Sequence, residues 1–438
     1  MRRLTSETFR SLRVRNFRLF FGGQLISQVG NWLTLVAQAL LVLKLTDSGV
    51  ALGLLAAAQF GPVLVFGPFA GLIADRSDKR RLLLAVQSLA MAQSFLLATL
   101  AFSGHPPVLA IYAVAMLGGF CTAFDNPARR SFVVELVPEE DIGNAVSLNS
   151  ALMTSSRVVG PALAGLLITT VGFGWCFLVD GLSYLAVLAG LWRIDPEQMY
   201  RAPRAGRGRG QVREGLRYAR SVPELWVPLL MAAVVGTLAF NFNTVLPLFA
   251  TRDLHGTAVT FTLLMSVVSA GSLVGALATA RRRRIGMYTV SVAALAFGTA
   301  MCALSLAPNK PVAFVVAAFV GLGSISFMTA STAIVQLNAA PSMRGRILAI
   351  QTMVFLGSTP IGGPIVGLIS QHFGARYSIA IGGVATLGAG VFGVLKVRNR
   401  TRMVELTPDA LTLDAQRDTD ISVSRATDRY VPLLRPGA

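Results

Sequence analysis

The sequence predicts an all-α membrane protein with twelve transmembrane helices, in two six-helix bundles with pseudo-two-fold symmetry and both termini cytoplasmic. Three observations predict this fold: twelve apolar segments, basic residues confined to alternate connections, and motifs that recur six segments apart. Of the 438 residues, 53% are hydrophobic and 14% are charged, whereas roughly 25% are charged in soluble globular proteins. The composition therefore excludes a soluble globular protein.

Each apolar segment is long enough to cross a membrane, because about 20 helical residues span ~30 Å of hydrocarbon. The predicted spans are residues 18–43, 50–74, 82–103, 107–128, 146–171, 175–193, 226–249, 258–280, 285–307, 311–335, 347–371 and 377–397.

The distribution of lysine and arginine predicts the orientation of these spans. The two terminal regions and the connections that run from an even-numbered span to the next odd-numbered span hold 34 of the 39 basic residues. Among the loops on the other side, four contain one basic residue each, namely Lys44, Arg252, Lys310 and Arg376. Because basic connections stay on the cytoplasmic side, both termini are expected there. The net charge of +18 does not indicate a nucleic-acid partner, since the cations form short clusters between spans and no continuous basic face.

The longest internal connection divides the spans six and six, which predicts five regions. Within this connection, residues 211–222 are expected to form a short amphipathic helix. The predicted regions are a cytoplasmic N-terminus at 1–17, a first six-helix bundle at 18–193, a cytoplasmic linker at 194–225, a second six-helix bundle at 226–397 and a disordered cytoplasmic tail at 398–438.

The two halves repeat each other. A glycine–proline motif in the fifth span recurs in the eleventh, and each copy lies 23 residues after a proline in the preceding loop. The two copies contain Gly160, Pro161 and Gly165, and Gly363, Pro364 and Gly367. Duplicated bundles around a central site are typical of transporters.

The connection between the second and third spans has the most specific motif. It contains Gly71, Asp75, Arg76, Lys79 and Arg80. This arrangement resembles the loop between the second and third helices of major facilitator superfamily transporters, although Asp78 stands where that superfamily often has glycine. The resemblance implies that Asp75 meets the positive end of a helix in the other half and holds the cytoplasmic gate shut. The alternative is that the cations serve only as an orientation signal. A partial copy at 275–284 has Thr279 in place of Asp75.

The fifth span resembles the antiporter motif of exporters in the same superfamily. Gly160, Pro161 and Gly165 match its pattern, while other small residues replace three glycines at 147, 156 and 164. The motif favours export over import, and the alternative is generic close packing of helices.

Three ionisable residues within spans are candidates for proton coupling, because burying a charge in a membrane is costly. They are Asp125, Arg157 and Asp180. Between residues 224 and 405 the only acid is Asp253, in an outer loop, so a coupling carboxylate is expected in the first half. Asp125 could instead pair with nearby arginines, and Asp180 could be a solvated rim residue. Arg157 could bind an anionic substrate group, exchange partners with a protonating acid, or form a structural pair.

The first span has a polar face that predicts a cavity lining. Gln24, Gln28 and Asn31 lie on one side of the helix at spacings of four and three residues, and with Arg157 they are the candidate substrate contacts. The four lysines lack the sequence context of a phosphate-binding loop and the three histidines are scattered. We therefore expect neither a metal nor another cofactor, with the proton gradient as the energy source.

The resemblance covers residues 14–397. The segments at 124–135, 144–149 and 157–165 are similar to the drug and siderophore exporter branch of the superfamily, which includes the enterobactin exporter. This resemblance implies a non-enzymatic, monomeric, proton-coupled exporter of a siderophore, drug or other amphipathic small molecule in a bacterial inner membrane. Two alternatives stay open: an importer, facilitated or proton-symport, and a non-transporting membrane sensor that uses the same fold.

Overall fold

The computed structural model describes residues 8–200, 211–282 and 285–406. This part of the chain contains helices and no β-strand, and twelve of its helices are long and apolar enough to cross a membrane. The predicted all-α fold with twelve spanning helices is confirmed. The spanning helices are α1 (Arg15–Thr46), α2 (Gly49–Arg76), α3 (Lys79–Phe102), α4 (Val108–Glu135), α5 (Ile142–Thr170), α6 (Phe173–Arg193), α7 (Pro223–Asp253), α8 (Ala258–Ala280), α9 (Met287–Ser305), α10 (Lys310–Asn338), α11 (Pro341–Phe373) and α12 (Ala375–Leu406).

Some helices extend well beyond the predicted spans. Helix α4 continues to Glu135, seven residues past the predicted end, with Pro127 in its interior. Helix α12 continues to Leu406 and so enters the predicted tail. The apolar segments stop where charged residues begin, but a helix satisfies its own backbone in water as well as in lipid. Residues 201–210 of the predicted linker and 407–438 of the predicted tail lie outside the described residues.

Helix α7 is interrupted near its middle. It consists of an α-helical segment Pro223–Leu238, a second segment Phe242–Leu248 and a π-helical turn Phe249–Asp253. At the interruption, the Asn241 side-chain amide donates to the Thr237 carbonyl over 2.7 Å. This bond satisfies one of the backbone groups that a broken helix leaves without a helical partner.

Helix pairing repeats between the halves. In the first half, α1 packs on α5 and α6, α2 packs on α4, and α3 packs on α4 and α6. In the second half, α7 packs on α11 and α12, α8 packs on α10, and α9 packs on α10 and α12. Each contact maps onto its counterpart when six is added to the helix number, which is the relation expected of a pseudo-two-fold axis.

The halves meet mainly along two helix pairs, α2 with α11 and α5 with α8, and the Phe242–Leu248 segment of α7 also contacts α1 and α2. We name the two ends of the bundle by their connections. The basic end has both termini and the connections that run from an even-numbered helix to the next odd-numbered helix, such as that between α2 and α3. The opposite end has the loops that run from an odd-numbered helix to the next even-numbered helix, such as that between α1 and α2. Close contacts between α2 and α11 start at the opposite end, where a Cβ added to Gly53 would lie 2.8 Å from the Pro364 Cα. Small residues on both helices allow this approach.

One face of α2 shows that the two halves separate toward the basic end. Gly49 and Gly53 touch α11, whereas Cβ atoms added to Gly67 and Gly71, on the same helical face, would have no neighbour within 4 Å. Polar contacts between the halves are also at the opposite end. There the Gly49 amide donates to the Gln371 side chain over 2.7 Å, and Arg252 pairs with Asp47 at 3.1 Å. The space between the halves therefore opens at the basic end.

The predicted amphipathic segment forms a helix at Gln211–Ser221, which we name the linker helix. It packs on the start of α11, where Glu214 pairs with Arg346 at 2.8 Å. The Tyr218 hydroxyl accepts a hydrogen bond from the Ala340 amide, and Ala219 is fully buried. The linker helix is thus attached to the second half.

Replacing Gly363 by leucine is expected to open the seam between α2 and α11. A Cβ there would already lie 2.9 Å from the Ala56 methyl group, and overpacking of this kind costs about 1–3 kcal/mol. Since 1.4 kcal/mol is about tenfold in an equilibrium, the population should shift toward a state with separated opposite ends. Distances between spin labels at the exposed residues Ser103 and Lys310 should lengthen.

The matched control is Gly61→Leu on α2, because a Cβ at Gly61 would meet open space. An unchanged label distance in Gly363→Leu, or an equal lengthening in the control, would show that this seam does not hold the opposite end closed.

Candidate functional site

A polar cleft of about 270 Å³ lies within the first half, between α1, α2, α3 and α4. Seven carboxamide side chains line it, and Trp32 and Phe60 contribute aromatic surface. Carboxamides in a membrane-embedded bundle are costly to bury without partners, so their convergence marks a candidate binding site. The carboxamides are Gln28, Asn31, Gln38, Gln59, Gln87, Gln93 and Asn126.

An ion pair between Asp125 and Arg129 forms one wall of the cleft. The two residues are one turn apart on α4, and Asp125 is 5% exposed. Gln87 donates to Asp125 over 2.6 Å, and Arg129 donates to Gln24 over 3.2 Å. Because α4 runs on to Glu135, Asp125 lies about 15 Å and Arg129 about 9 Å inside the end of the helix. Mutual pairing offsets the desolvation of both charges.

The predicted polar face of α1 belongs to the same network. Gln28 and Asn31 line the cleft, while Gln24 is one turn away and accepts the hydrogen bond from Arg129. The Tyr184 hydroxyl of α6 donates to the Asn31 side chain over 2.9 Å. The three sequence-predicted residues therefore lie at the same cleft as the Asp125–Arg129 pair.

Asp180 lies behind the cleft, in the interface of α1, α3 and α6. It is 1% exposed, and its Oδ2 atom accepts hydrogen bonds from Thr34 over 2.6 Å and from Ser94 over 2.7 Å. Its Oδ1 atom is buried without a hydrogen-bond partner. Among the described residues, none that is basic lies within 4 Å of this carboxylate. Asp180 is thus a buried acid without a counter-charge, and Thr34 links it to the cleft.

Arg157 of α5 lies beside Trp32, with the guanidinium carbon 6.0 Å from the ring centroid. Its Nε atom is buried without a hydrogen-bond partner. In the described part of the chain no carboxylate lies within 4 Å of it. The conformation seen here therefore does not bring Arg157 together with Asp125 or Asp180, and Trp32 stands between Arg157 and the cleft.

The motif in the connection between α2 and α3 makes its described contacts within the first half. Lys79 pairs with Glu135 at 2.6 Å. Arg80 donates to two carbonyls at the end of α6, those of Leu191 and Trp192, where a cation is favoured by the helix dipole. Arg76 is exposed, and Gly71 has open space beside it. The Asp75 side chain lies outside the described residues.

Asp78, where the superfamily often has glycine, has a local structural role. It precedes α3 with φ at −65°, and its side chain accepts a hydrogen bond from the Arg81 amide over 3.0 Å. An aspartate at this position satisfies a free backbone N–H at the helix start. This loop therefore requires no glycine.

The two glycine–proline motifs lie at helix contacts. On α5, Gly160 faces the Trp32 side chain of α1, and Gly165 faces Thr262 of α8 in the other half. On α11, Gly363 and Gly367 face α2 in the other half. Pro161 is buried and Pro364 is beside Gly53. Both copies therefore include residues at the seams between the halves.

Sequence reasoning did not single out Thr34, Ser94, Gln38 or Gln87 as site residues. Arg129 is one of the nearby arginines that were expected as possible partners of Asp125. Arg129 lies at i+4 from Asp125, a spacing that favours an ion pair on a helix. Thr34, Ser94 and Gln87 lie on α1 and α3 and meet the acids of α4 and α6 only after the bundle forms. Gln38 of α1 similarly meets Gln59 of α2. No spacing in the sequence relates Thr34 to Asp180.

Comparison with known proteins identifies relatives along almost the whole chain. The staphyloferrin A transporter of Staphylococcus aureus is 24% identical over 374 residues, which are 84% of this chain and 93% of the relative. Macrolide efflux protein A of Streptococcus pyogenes is 23% identical, covering 89% of this chain and 97% of the relative. The multidrug efflux pump Tap of Mycobacterium tuberculosis is 27% identical, with coverage of 80% and 86%.

Solved structures show the same fold. A bacterial homolog of the human lysosomal transporter Spinster, in an inward-facing and occupied conformation, aligns with a TM-score of 0.63 at 18% identity over 89% of this chain and 97% of that one. A POT family transporter in complex with a thioalcohol-conjugated peptide aligns with a TM-score of 0.72 at 11% identity, with coverage of 88% and 96%.

The family described as "transmembrane secretion effector" matches residues 6–420. Its members and the solved relatives above are transporters and not enzymes. With its twelve spanning helices and duplicated bundles, the chain is a multi-pass membrane protein and a secondary transporter. It belongs to the transmembrane secretion effector family of the major facilitator superfamily.

Proposed function

We propose that this protein is a proton-coupled exporter that moves a siderophore, drug or other amphipathic small molecule across a bacterial inner membrane by alternating access. The observation that carries the proposal is the polar cleft of the first half, with its buried ion pair, beside a space that opens only at the basic end. The names of the relatives, two efflux proteins and a siderophore transporter, agree with this activity.

The proposed orientation places the basic end and both termini in the cytoplasm, since basic connections stay inside. The conformation described here is then the inward-open state, which admits substrate from the cytoplasm. Closing of α2 against α11 at the basic end would bring Asp75 to the start of α11, where the positive end of the helix dipole attracts a carboxylate. One chain contains both halves, so we propose a monomer.

We propose that Asp180 carries the coupled proton. Asp125 already has a cationic partner in Arg129, whereas Asp180 is buried with no cation nearby among the described residues. Protonation removes a charge that burial in the membrane makes costly. Thr34 contacts both Asp180 and the cleft, so its hydroxyl group is placed to pass a proton between them, since a hydroxyl both donates and accepts. Arg157 is the cation that we propose to interact with substrate or acid in the outward-open state.

The proposed orientation can be tested by cysteine labelling in intact cells. With the native cysteines replaced, a cysteine at the exposed residue Ser103 of the opposite end should react with a membrane-impermeant maleimide. A cysteine at the exposed residue Gln198 of the basic end should react only after lysis. The reverse pattern would place both termini outside the cytoplasm and refute the orientation.

The substitution Asp180→Asn is expected to abolish the accumulation of a radiolabelled macrolide in everted vesicles with an acidic lumen, in which an outward-directed proton gradient drives the uptake of substrate. Asparagine can still accept the hydrogen bonds from Thr34 and Ser94 but has no proton to exchange. The Kd of the macrolide measured without a gradient should change less than about twofold. Gradient-driven accumulation should fall by more than about tenfold, which corresponds to about 1.4 kcal/mol.

The matched control is Asp253→Asn, because Asp253 pairs with Arg376 in the second half and is outside the proposed path. Gradient-driven accumulation that persists in Asp180→Asn would refute the assignment of the acid. Wild-type vesicles without any gradient-driven accumulation would instead count against proton-coupled export.

A further inference from the structure

The cleft has no net charge. Asp125 and Arg129 are its only charged lining residues in the described part of the chain, and they neutralise each other. A multiply charged ligand would be desolvated there without a counter-charge, which is strongly unfavourable. The lining therefore selects against ligand portions that carry ionised groups.

Residues that line the cleft have buried donor and acceptor atoms without a hydrogen-bond partner. Gln38 accepts a hydrogen bond from Gln59 over 2.7 Å, which leaves its Nε2 donor without a partner. Gln87 donates to Asp125, which leaves its Oε1 acceptor without a partner. Both side chains are less than 5% exposed. Buried polar atoms of this kind are satisfied by a ligand or by ordered water.

The orientation of Gln87 follows from the chemistry of its partner. An ionised carboxylate only accepts hydrogen bonds, so the amide nitrogen of Gln87 must face Asp125 and its carbonyl oxygen is left as a buried acceptor without a partner. Arg129 similarly has an Nε–H group without a partner. A ligand that satisfies these atoms needs both hydroxyl donors and oxygen acceptors.

The remaining lining is apolar and partly flat. Trp32, Phe60, Val86 and Ala90 line the cleft together with two adjacent glycines of α4. A ring with one polar edge and two C–H faces fits such walls, because its faces pack on aromatic surface while its hydroxyl groups reach the carboxamides. The volume of about 270 Å³ is below the range of roughly 300–1,000 Å³ for drug-sized ligands, so the cleft suits one ring and not a whole molecule.

We infer that the cleft is a subsite for an uncharged, polyhydroxylated ring, such as a neutral sugar substituent, of the amphipathic molecule that the protein transports. The inference rests on the proposed function only in taking the cleft as part of the substrate site. The rest of the molecule would occupy the space between the halves.

The test compares three probes that differ in this ring alone: 4-methylumbelliferyl β-glucoside, the corresponding glucuronide and the free aglycone 4-methylumbelliferone. Equilibrium dialysis with the full-length protein in lipid nanodiscs at neutral pH measures each Kd. The glucoside should bind at least about tenfold more tightly than the aglycone, as one or two added hydrogen bonds allow. The glucoside should also bind at least about tenfold more tightly than the ionised glucuronide.

The decisive variant is Gln38→Leu, which removes the free donor and keeps a similar shape. It should weaken glucoside binding about tenfold and leave aglycone binding unchanged, which also shows that the variant is folded. Gln351→Leu is the matched control, because Gln351 is a buried glutamine of the second half that donates to Ser331 over 3.1 Å. It should leave both affinities unchanged.

Three results would overturn the inference: no measurable binding of the glucoside, equal or tighter binding of the glucuronide, or equal effects of Gln38→Leu on glucoside and aglycone. Because no proton gradient is present, a failure of proton coupling leaves this test intact. Gradient-driven export that persists while the glucoside fails to bind would refute the subsite alone.

Discussion

The close approach of α2 to α11, together with that of α5 to α8, is the contact on which the rest of the structure depends. These two seams join halves that otherwise have their own internal pairing. Glycines on both sides of the α2–α11 seam remove the side chains that would keep the backbones apart, and helices in lipid associate largely through such packing. Because the close contacts of α2 with α11 run from the opposite end to Leu64 and are absent at Gly67 and Gly71, the halves can separate at the basic end.

A second constraint is the scarcity of charge inside the bundle. The described ionisable residues in the interior of the spans are concentrated in the first half, where one acid has a cationic partner and the other has two hydroxyl donors. The second half has a single acid between residues 224 and 405, and that acid pairs with Arg376 at the opposite end. We interpret the first half as the one whose ionisable residues bind the substrate and the proton, and the second half as the one that moves relative to it.

Much of the fold could be predicted from the sequence, because the membrane requires long apolar helices and the basic residues mark alternate connections. The polar face of α1 could also be predicted, since Gln24, Gln28 and Asn31 follow the helical period. The end of α4 could not, because the helix continues past Pro127 through charged residues. The contacts of Asp180 with Thr34 and Ser94 join residues 146 and 86 positions apart, so they depend on how three helices pack.

The missing side chain at Gly30 has a consequence for how this transporter can vary. A Cβ at this position would lie 2.5 Å from Asp180 Oδ1 and 2.7 Å from the Ser183 hydroxyl oxygen. Any residue with a side chain at position 30 would therefore displace the Asp180 carboxylate or push α6 away from α1. A larger residue at position 30 would therefore need smaller side chains at both 180 and 183, and such a chain would have lost its buried acid.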